Sequence, residues 1–208
     1  MLRVFVVDDH PLVRVGLRWL LEAQADIRVI GEAATVRDAL RAIPDAAAHV
    51  VVCDYQLPDG NGVDLTRHLR RRDPTIKILM VSMIDGGPVP RRVLAAGALG
   101  YVSKARDGAV VVRAVREVAQ GRRFLDDALG GHLLFESSPF ERLSTRELEV
   151  AMLMVEGRRN GEIAEELGIE GSTVRTLRAR LLAKLEVRGE AALMRLALEY
   201  GLARKRDE

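Results

Sequence analysis

Residues 50–62 read VVVCDYQLPDGNG, and the apolar run that opens this stretch indicates the fold of the first half of the chain. A short, β-branched run of this kind is typical of a strand buried on both faces of a sheet. Comparable runs occur at residues 4–7, 27–30, 76–81 and 101–102, separated by longer segments whose apolar residues recur every three or four positions. Five strands alternating with five helices predict a five-stranded parallel sheet with helices on both faces.

The composition is that of a globular protein. The chain has 208 residues, of which 48% are hydrophobic and 30% charged, and its 32 basic and 30 acidic side chains nearly cancel. These values exclude a disordered or fibrous chain. No window approaches 18 consecutive apolar residues, so no membrane span is expected, and Asp8 and Asp9 come too early for a secretory signal peptide. The lone Cys53 cannot form an internal disulfide, which favours a cytoplasmic location.

The sequence pattern divides the chain into two domains and a linker. The alternating α/β domain is predicted to span residues 1–121. Glycine pairs and a Ser-Ser-Pro segment interrupt the pattern in residues 122–140, which we interpret as a linker with a helical patch around 129–135. Residues 141–206 are predicted to form a small domain of four helices.

Local signals predict the bounds of these four helices. Ser144-Thr145-Arg146-Glu147 has the form of a capping box at the start of the first helix. Asn160 is the expected N-cap of the second helix, which Gly168 ends. Ser172 is the expected N-cap of the third helix, which runs to about Glu186, and the fourth is predicted over residues 190–200.

Three carboxylates follow strands of the predicted sheet. Asp8 and Asp9 come directly after the first strand, and Asp54 ends the third. In a doubly wound sheet of flavodoxin-like strand order, these strands flank the point where the order reverses, and ligands bind there. Three carboxylates at one place repel each other unless a hard cation lies among them, and Mg²⁺ suits such ligands. Ser82 and Lys104 follow the fourth and fifth strands at the same edge, so the set predicts a site that holds a phosphoryl group.

These residues carry a resemblance to a known family. The segments at residues 6–10, 53–62, 81–82 and 100–104 resemble the receiver signature of bacterial two-component response regulators of the NarL/FixJ class. The resemblance implies that Asp54 is the phosphoacceptor. The Mg²⁺ ligands that it implies are the side chains of Asp8, Asp9 and Asp54 and the backbone carbonyl of Gln56. It also implies that Lys104 contacts the phosphoryl oxygens, and that Ser82 and Tyr101 form a switch pair in which the ring follows the hydroxyl inward.

Met83 and Cys53 lie directly next to two of the site residues, Ser82 and Asp54. Met83 stands where the family often has a small residue, and we expect its bulk to slow the access of water or of a phosphodonor to Asp54. Cys53 is interpreted as a buried strand residue rather than a redox group.

The third helix of the second domain concentrates positive charge. Between Ser172 and Arg188 there are five basic residues and one acidic residue. Val174, Leu181 and Leu185 recur at seven- and four-residue intervals and form the face predicted to pack inward. The basic residues occupy the rest of the circumference, which favours an element that enters the major groove of DNA.

The second domain resembles the LuxR-type helix-turn-helix through residues 143–150, 160–169 and 172–176. The positions that the resemblance places against base edges are Arg175, Thr176 and Ala179. The positions that it places against phosphates are Thr173, Arg178, Arg180 and Lys184. The residues that resemble the surface through which these domains pair on DNA are Leu193, Leu196, Ala197 and Tyr200.

The resemblance implies a transcription factor controlled by phosphorylation, not an enzyme beyond its own phosphoryl transfer and dephosphorylation. Its expected partners are a sensor histidine kinase, double-stranded DNA and, when active, a second copy of the chain. Residues 87–90 and 138–144 are most like the GacA/UvrY branch of this class, which implies a hybrid sensor kinase.

Two other functions are compatible with parts of the sequence. The first is a DNA-binding protein whose receiver-like domain is no longer phosphorylated and serves only for dimerisation, and the complete site set of Asp8, Asp9, Asp54, Ser82 and Lys104 argues against it. The second is a metabolic enzyme on a nucleotide-binding α/β fold. Neither a G-x-G-x-x-G nor a G-x-x-x-x-G-K-[ST] motif occurs in the sequence, which disfavours that class.

Overall fold

The structure is a computed structural model that describes residues 1–84, 86–126 and 138–203 of the chain. The chain divides into two compact units, of which the first comprises Met1–Met83 and Arg91–Gly130 and the second comprises Ile84–Pro90 and Gly131–Glu208. The helical patch predicted around residues 129–135 lies outside the described residues. None of the helices in the described ranges is long and apolar enough to cross a membrane.

A parallel sheet forms the centre of the first unit. Its strands are β1 (Leu2–Val7), β2 (Ile27–Ala33), β3 (Val50–Cys53), β6 (Lys77–Ser82), β7 (Gly100–Ser103) and β8 (Phe124–Leu125). They are arranged in the order β2-β1-β3-β6-β7-β8, and every neighbouring pair is parallel. A short antiparallel hairpin of β4 (Gln56–Leu57) and β5 (Gly60–Asn61) follows β3. The predicted flavodoxin-like order is confirmed, because β1 lies between β2 and β3.

The predicted count of five strands is wrong by one, because β8 extends the sheet beyond β7. Phe124 pairs with Gly100, and Leu125 pairs with Tyr101. The Phe124 ring is buried, and the Arg113 guanidinium lies 5.1 Å from its centroid. Two residues are too few to show a strand periodicity, so β8 is recognised only by its pairing and burial.

In the described residues, five helices alternate with the strands of this sheet. They are α1 (Pro11–Glu22), α2 (Val36–Ala46), α3 (Gly62–Arg72), α4 (Val89–Ala95) and α5 (Gly108–Ala119). An apolar core cluster joins strand residues such as Val6 and Val52 to Leu21 of α1 and Val115 of α5. Each such side chain contributes about 1.5–3 kcal/mol when it is buried fully. The packing therefore holds the carboxyl ends of β1 and β3 in a fixed relation.

The second unit is helical in its described residues. A single 3₁₀ turn at Pro139–Arg142 precedes α6 (Thr145–Val155), α7 (Asn160–Leu167), α8 (Gly171–Lys184) and α9 (Glu190–Glu199). The capping box at the start of α6 is confirmed, since the Ser144 hydroxyl accepts from the Glu147 backbone N–H and the Glu147 carboxylate accepts from the Ser144 N–H. Gly168 ends α7 in the left-handed conformation, as predicted.

Two predicted N-caps in this unit are wrong. The N-cap of α7 is Arg159 rather than Asn160, because the Glu162 carboxylate accepts from the Arg159 backbone N–H at 2.7 Å. The Asn160 side chain instead accepts a hydrogen bond from Arg178 of α8. Helix α8 begins at Gly171, with Glu170 as its N-cap, so Ser172 lies within the first turn. Helix α8 ends at Lys184, two residues before the predicted end.

Candidate functional site

The three predicted carboxylates come together at the carboxyl edge of the parallel sheet. Asp8 and Asp9 follow β1 and Asp54 follows β3, and these two strands pair directly. Ligand atoms of Asp8, Asp9, His10 and Asp54 all lie within 4.8 Å of one another. Asp8 and Asp54 are almost fully buried, with 1% and 5% of their surface exposed. Two buried carboxylates in contact distance of each other require a compensating positive charge.

Lys104 supplies that charge in this structure. Its Nζ lies 2.6 Å from Asp54 Oδ2 and 2.7 Å from Asp8 Oδ2. The position of Lys104 is set by β6, since its backbone N–H donates to the Ser82 carbonyl at 2.8 Å. One ammonium group therefore bridges the two buried carboxylates.

The surroundings of Asp54 make its carboxylate easier to protonate than that of an exposed aspartate. Burial raises the pKa of Asp54 to about 6, and the Asp8 carboxylate adds to the increase, while Lys104 opposes it. Burial also works to lower the pKa of Lys104, but the two carboxylates outweigh burial and the pKa is raised. Lys104 therefore stays protonated at neutral pH, which its predicted contact with phosphoryl oxygens requires.

The side chains present fit a hard divalent cation. Among the described residues, none hydrogen-bonds to the buried Oδ1 of Asp9, although the His10 ring Nδ1 lies 2.6 Å away outside hydrogen-bonding geometry. A buried carboxylate oxygen without a donor is an available ligand, and carboxylates are the ligands that Mg²⁺ prefers. Gln56, whose carbonyl is the fourth predicted ligand, begins β4 two residues after Asp54. Sequence reasoning missed the ring nitrogen of His10 as a member of this cluster, although its place directly after Asp8 and Asp9 was a usable signal.

The predicted switch residues lie on β6, which pairs with β3, and on β7, which pairs with β6. Ser82 ends β6 and Tyr101 belongs to β7, and both side chains are fully buried. Met83 follows Ser82 with half of its surface exposed, beside a groove that His10 and Lys104 also line. This is the position from which its bulk is expected to limit access to Asp54.

Cys53 lies inside the sheet, as predicted. It is 1% exposed, and burial together with the neighbouring carboxylates raises the pKa of its thiol well above the ordinary value. A buried thiol that stays protonated is a poor nucleophile, so the structure agrees with the interpretation of Cys53 as a strand residue.

The predicted recognition helix, α8, has an apolar and a polar face. Val174, Leu181 and Leu185 are buried, as predicted from their spacing. The residues of the predicted DNA-contacting set that are exposed are Thr173, Arg175, Thr176, Ala179, Arg180 and Lys184. Two arginines and two threonines are thus exposed on the part of the helix surface that is not packed inward.

Two members of the predicted set also make contacts within the unit. The Arg178 guanidinium hydrogen-bonds to Asn160 of α7 and pairs with Glu190 of α9, and its side chain is only 22% exposed. Lys184 Nζ lies 2.6 Å from Oε2 of Glu147, the buried carboxylate of the α6 capping box. Both residues therefore stabilise the packing of α8 against its neighbours.

The structure corrects half of the predicted pairing surface on α9. Leu193 and Ala197 are at most 1% exposed, because α9 packs this face against α6. A side chain without accessible surface cannot contact a partner. Leu196 and Tyr200 are partly exposed and remain available for pairing.

Comparison with known proteins gives the class of this chain. Residues 4–116 match the response regulator receiver domain, and residues 141–197 match the bacterial regulatory proteins of the luxR family. The chain belongs to the response regulators that join a receiver to a LuxR-type DNA-binding domain.

Individual relatives agree with this assignment over nearly the whole chain. The response regulator UvrY of Escherichia coli K12 is 35% identical over 209 aligned positions, which cover 97% of this chain and 96% of UvrY. The response regulator GacA of Pseudomonas protegens is 34% identical and covers 97% of this chain and 98% of GacA. RcsB from Salmonella enterica serovar Typhimurium, solved bound to a promoter with the phosphomimetic BeF₃⁻, matches with a TM-score of 0.63 and 28% identity over 94% of this chain and 97% of RcsB. The predicted resemblance to the GacA/UvrY branch is confirmed.

Proposed function

We propose that this response regulator accepts a phosphoryl group on Asp54 from a sensor histidine kinase and, in that state, binds double-stranded DNA as a dimer to regulate transcription. The observation that carries this proposal is the buried Asp54 carboxylate, bridged to Asp8 by Lys104. A structural ion pair would need one carboxylate, whereas a site for a phosphoryl group needs a nucleophile, ligands for a cation and a group that contacts the transferred oxygens. DNA as a partner implies a cytoplasmic location.

In the proposed step, a carboxylate oxygen of Asp54 attacks the phosphorus of a phosphohistidine. The new P–O bond forms as the P–N bond breaks, and the electron pair of that bond goes to the imidazole nitrogen, which takes a proton from solvent. The Tyr55 backbone N–H donates to Asp54 Oδ1 at 2.6 Å and fixes the orientation of the nucleophile. Lys104 is placed to move its hydrogen bond from Asp54 to a phosphoryl oxygen.

A divalent cation completes this site. Asp8, Asp9, Asp54 and the Gln56 carbonyl would hold Mg²⁺, which neutralises charge on the phosphoryl oxygens when bound. Asp9 has the most accessible carboxylate of the three and no hydrogen-bond donor on its Oδ1, so its role is that of a ligand.

In the proposed function, α8 is the helix that contacts DNA. Arg175 and Thr176 are exposed near the start of this helix, where a recognition helix contacts base edges, and the exposed Thr173 and Arg180 would contact phosphates. Arg178 and Lys184 would add phosphate contacts from the same helix. Leu196 and Tyr200 are the part of the predicted pairing surface that supports dimerisation.

The proposal is tested with acetyl phosphate and Mg²⁺, followed by the mass of the intact protein. The wild-type chain should gain one phosphoryl group, and Asp54→Asn should gain none. Asp59→Asn is the matched control, because Asp59 lies five residues further on but caps α2 through the Val36 and Arg37 backbone N–H groups. Labelling of Asp54→Asn at the wild-type level would exclude Asp54 as the acceptor. A wild-type chain that takes up no phosphoryl group but still binds DNA would favour a receiver that serves only for dimerisation.

A further inference from the structure

An ion pair joins the loop after Lys104 to the residue that follows β8. Arg106 Nε lies 2.6 Å from Asp126 Oδ2, and Arg106 Nη2 lies 2.7 Å from Asp126 Oδ1. This bidentate geometry is the strongest arrangement that an arginine and a carboxylate form. Asp126 is 4% exposed, so its carboxylate depends on partners in the protein rather than on water. Neither residue is explained by the phosphoryl site or by the DNA-binding helix.

The same pair lies where the chain leaves the receiver. Strand β8 is the last element of the sheet, and its backbone pairs with β7, the strand that carries Tyr101. The Asp126 N–H donates to the Tyr101 carbonyl at 3.3 Å, and the Phe124 N–H donates to the Leu99 carbonyl at 3.0 Å. The outgoing chain is therefore attached to the strand of a predicted switch residue.

A continuous set of contacts leads from this attachment back to the phosphoacceptor. Lys104 hydrogen-bonds to Asp54 through Nζ and to the Ser82 carbonyl through its backbone N–H. Two residues later, the Arg106 N–H donates to the Ser103 carbonyl, and its guanidinium holds Asp126. A shift of the 104–106 loop toward a phosphoryl group would move Arg106 with it.

We propose that Arg106 and Asp126, termed here the exit pair, are positioning residues that transmit phosphorylation of Asp54 to the chain leading to the DNA-binding unit. This inference rests on the proposed function. Two short hydrogen bonds in a bidentate arrangement hold the Arg106 guanidinium and the Asp126 carboxylate against each other. Arg106 and Asp126 therefore move together, and the start of the linker follows the loop that reads the phosphoryl group.

The test uses the full chain and a DNA fragment that the wild-type protein selects from a random-sequence pool. The measured quantity is the ratio of the dissociation constants for that fragment without and with acetyl phosphate and Mg²⁺. The variants are Arg106→Gln, Asp126→Asn and the double variant, in which two amides replace the charged pair. The matched control is Arg122→Gln, because Arg122 lies between α5 and β8 but pairs with Glu117, which is only partly buried.

We expect each single variant to lower the ratio at least about fivefold, the low end of typical allosteric coupling. The double variant should lower the ratio no further than the single variants do, because the effects of two substitutions within one interacting unit do not add. Phosphoryl uptake should stay stoichiometric in all variants, and the Arg122→Gln ratio should equal that of the wild type.

Each other outcome overturns a different claim. A wild-type ratio of one would refute the proposed function itself. A wild-type ratio that persists in Asp126→Asn and in the double variant would refute only the exit pair. An equal loss in Arg122→Gln would also refute it, since the effect would then belong to any perturbation of this edge. If Arg106→Gln does not fold, Asp126→Asn and the double variant still test the proposal. Asp126→Asn leaves the Arg106 charge, whose side chain is 40% exposed, and the double variant leaves no charge at either position.

Discussion

Replacing Lys184 with methionine tests whether this lysine holds the helical unit together. Glu147 Oε2 accepts hydrogen bonds from Lys184 Nζ at 2.6 Å and from the Ser144 backbone N–H at 2.7 Å, and the Glu147 side chain is only 4% exposed. Methionine keeps the length of the side chain and removes its charge. The substitution therefore takes the ammonium group away from a buried carboxylate, which keeps its hydrogen bond from Ser144.

The expected cost follows from this geometry. A hydrogen bond to a charged group contributes about 1.5–3 kcal/mol. Because 42% of the Lys184 side chain is exposed, water replaces part of the lost contact, and we expect about 1.5 kcal/mol, at the low end of that range. A free-energy change of about 1.4 kcal/mol corresponds to a tenfold change in an equilibrium constant. Amide hydrogens of α6 and α8 should therefore exchange about tenfold faster in the full-length variant.

Acidic pH should remove the difference between the two proteins. Burial alone would raise the pKa of Glu147, but Lys184 and Ser144 outweigh it and hold the pKa below its ordinary value. A lowered pKa contributes stability that is present above the unfolded pKa and is lost as the pH falls through the folded one. The advantage of the wild type should thus be complete at neutral pH and disappear in the acid range below about pH 4.3, the ordinary value for glutamate.

Two further variants separate the structural role of Lys184 from a DNA contact. Arg180→Met removes an exposed charge from the same helix and should leave exchange unchanged. Adding Glu147→Gln to Lys184→Met should restore part of the protection, because glutamine also completes a capping box. The reasoning would be refuted if Lys184→Met left the exchange rates unchanged but weakened binding to every DNA sequence. In that case the slope of the logarithm of the binding constant against the logarithm of the salt concentration should fall in magnitude by about one, and Lys184 would be assigned to phosphate binding.

Three other substitutions test the sites. Asp9→Ala should weaken Mg²⁺ binding in calorimetric titration at least about tenfold, the lower end of what loss of an outer-shell partner costs; equal affinity would exclude Asp9 as a ligand. Lys104→Met should keep some phosphoryl uptake, but this uptake should no longer strengthen DNA binding. The uptake should also require a higher pH than in the wild type, because the pKa of Asp54 rises further without the ammonium group. An unchanged pH profile of uptake would contradict this expectation. Arg175→Ala should cost about 1–3 kcal/mol at the selected site and relax preference at one base position, whereas Arg180→Ala should weaken binding to all sequences alike; a uniform loss for Arg175→Ala would make it a phosphate contact.

The central part of the fold was predictable because each strand carries its own signal. Runs such as Val50–Cys53 are apolar, β-branched and followed by a carboxylate, so both the sheet and its ligand edge follow from residues close in sequence. The Ser144–Glu147 capping box is local in the same way, and the structure forms it.

The features that sequence analysis missed depend on contacts between distant residues. Strand β8 has two residues and is defined by its pairing with β7. Asn160 has the composition of an N-cap, but Arg178, 18 positions further on, takes its side chain. The burial of Leu193 and Ala197 follows from the packing of α9 on α6, whereas their spacing alone suits an exposed and a buried face equally. Pairs such as Lys184 with Glu147 are 37 positions apart and leave no local pattern.

Because Cys53 is buried, the rate of its chemical modification can be used to detect opening of the receiver sheet. This is the only thiol in the sequence, and it lies next to Asp54 in a central strand. Because the thiol is enclosed and protonated in the folded state, alkylating reagents and oxidants reach it only when β3 separates from its neighbours. The rate of Cys53 modification in the full-length protein therefore reports how often the sheet opens beside Asp54. Oxidation of Cys53 should follow the same rate, so conditions that stabilise the sheet also protect this thiol.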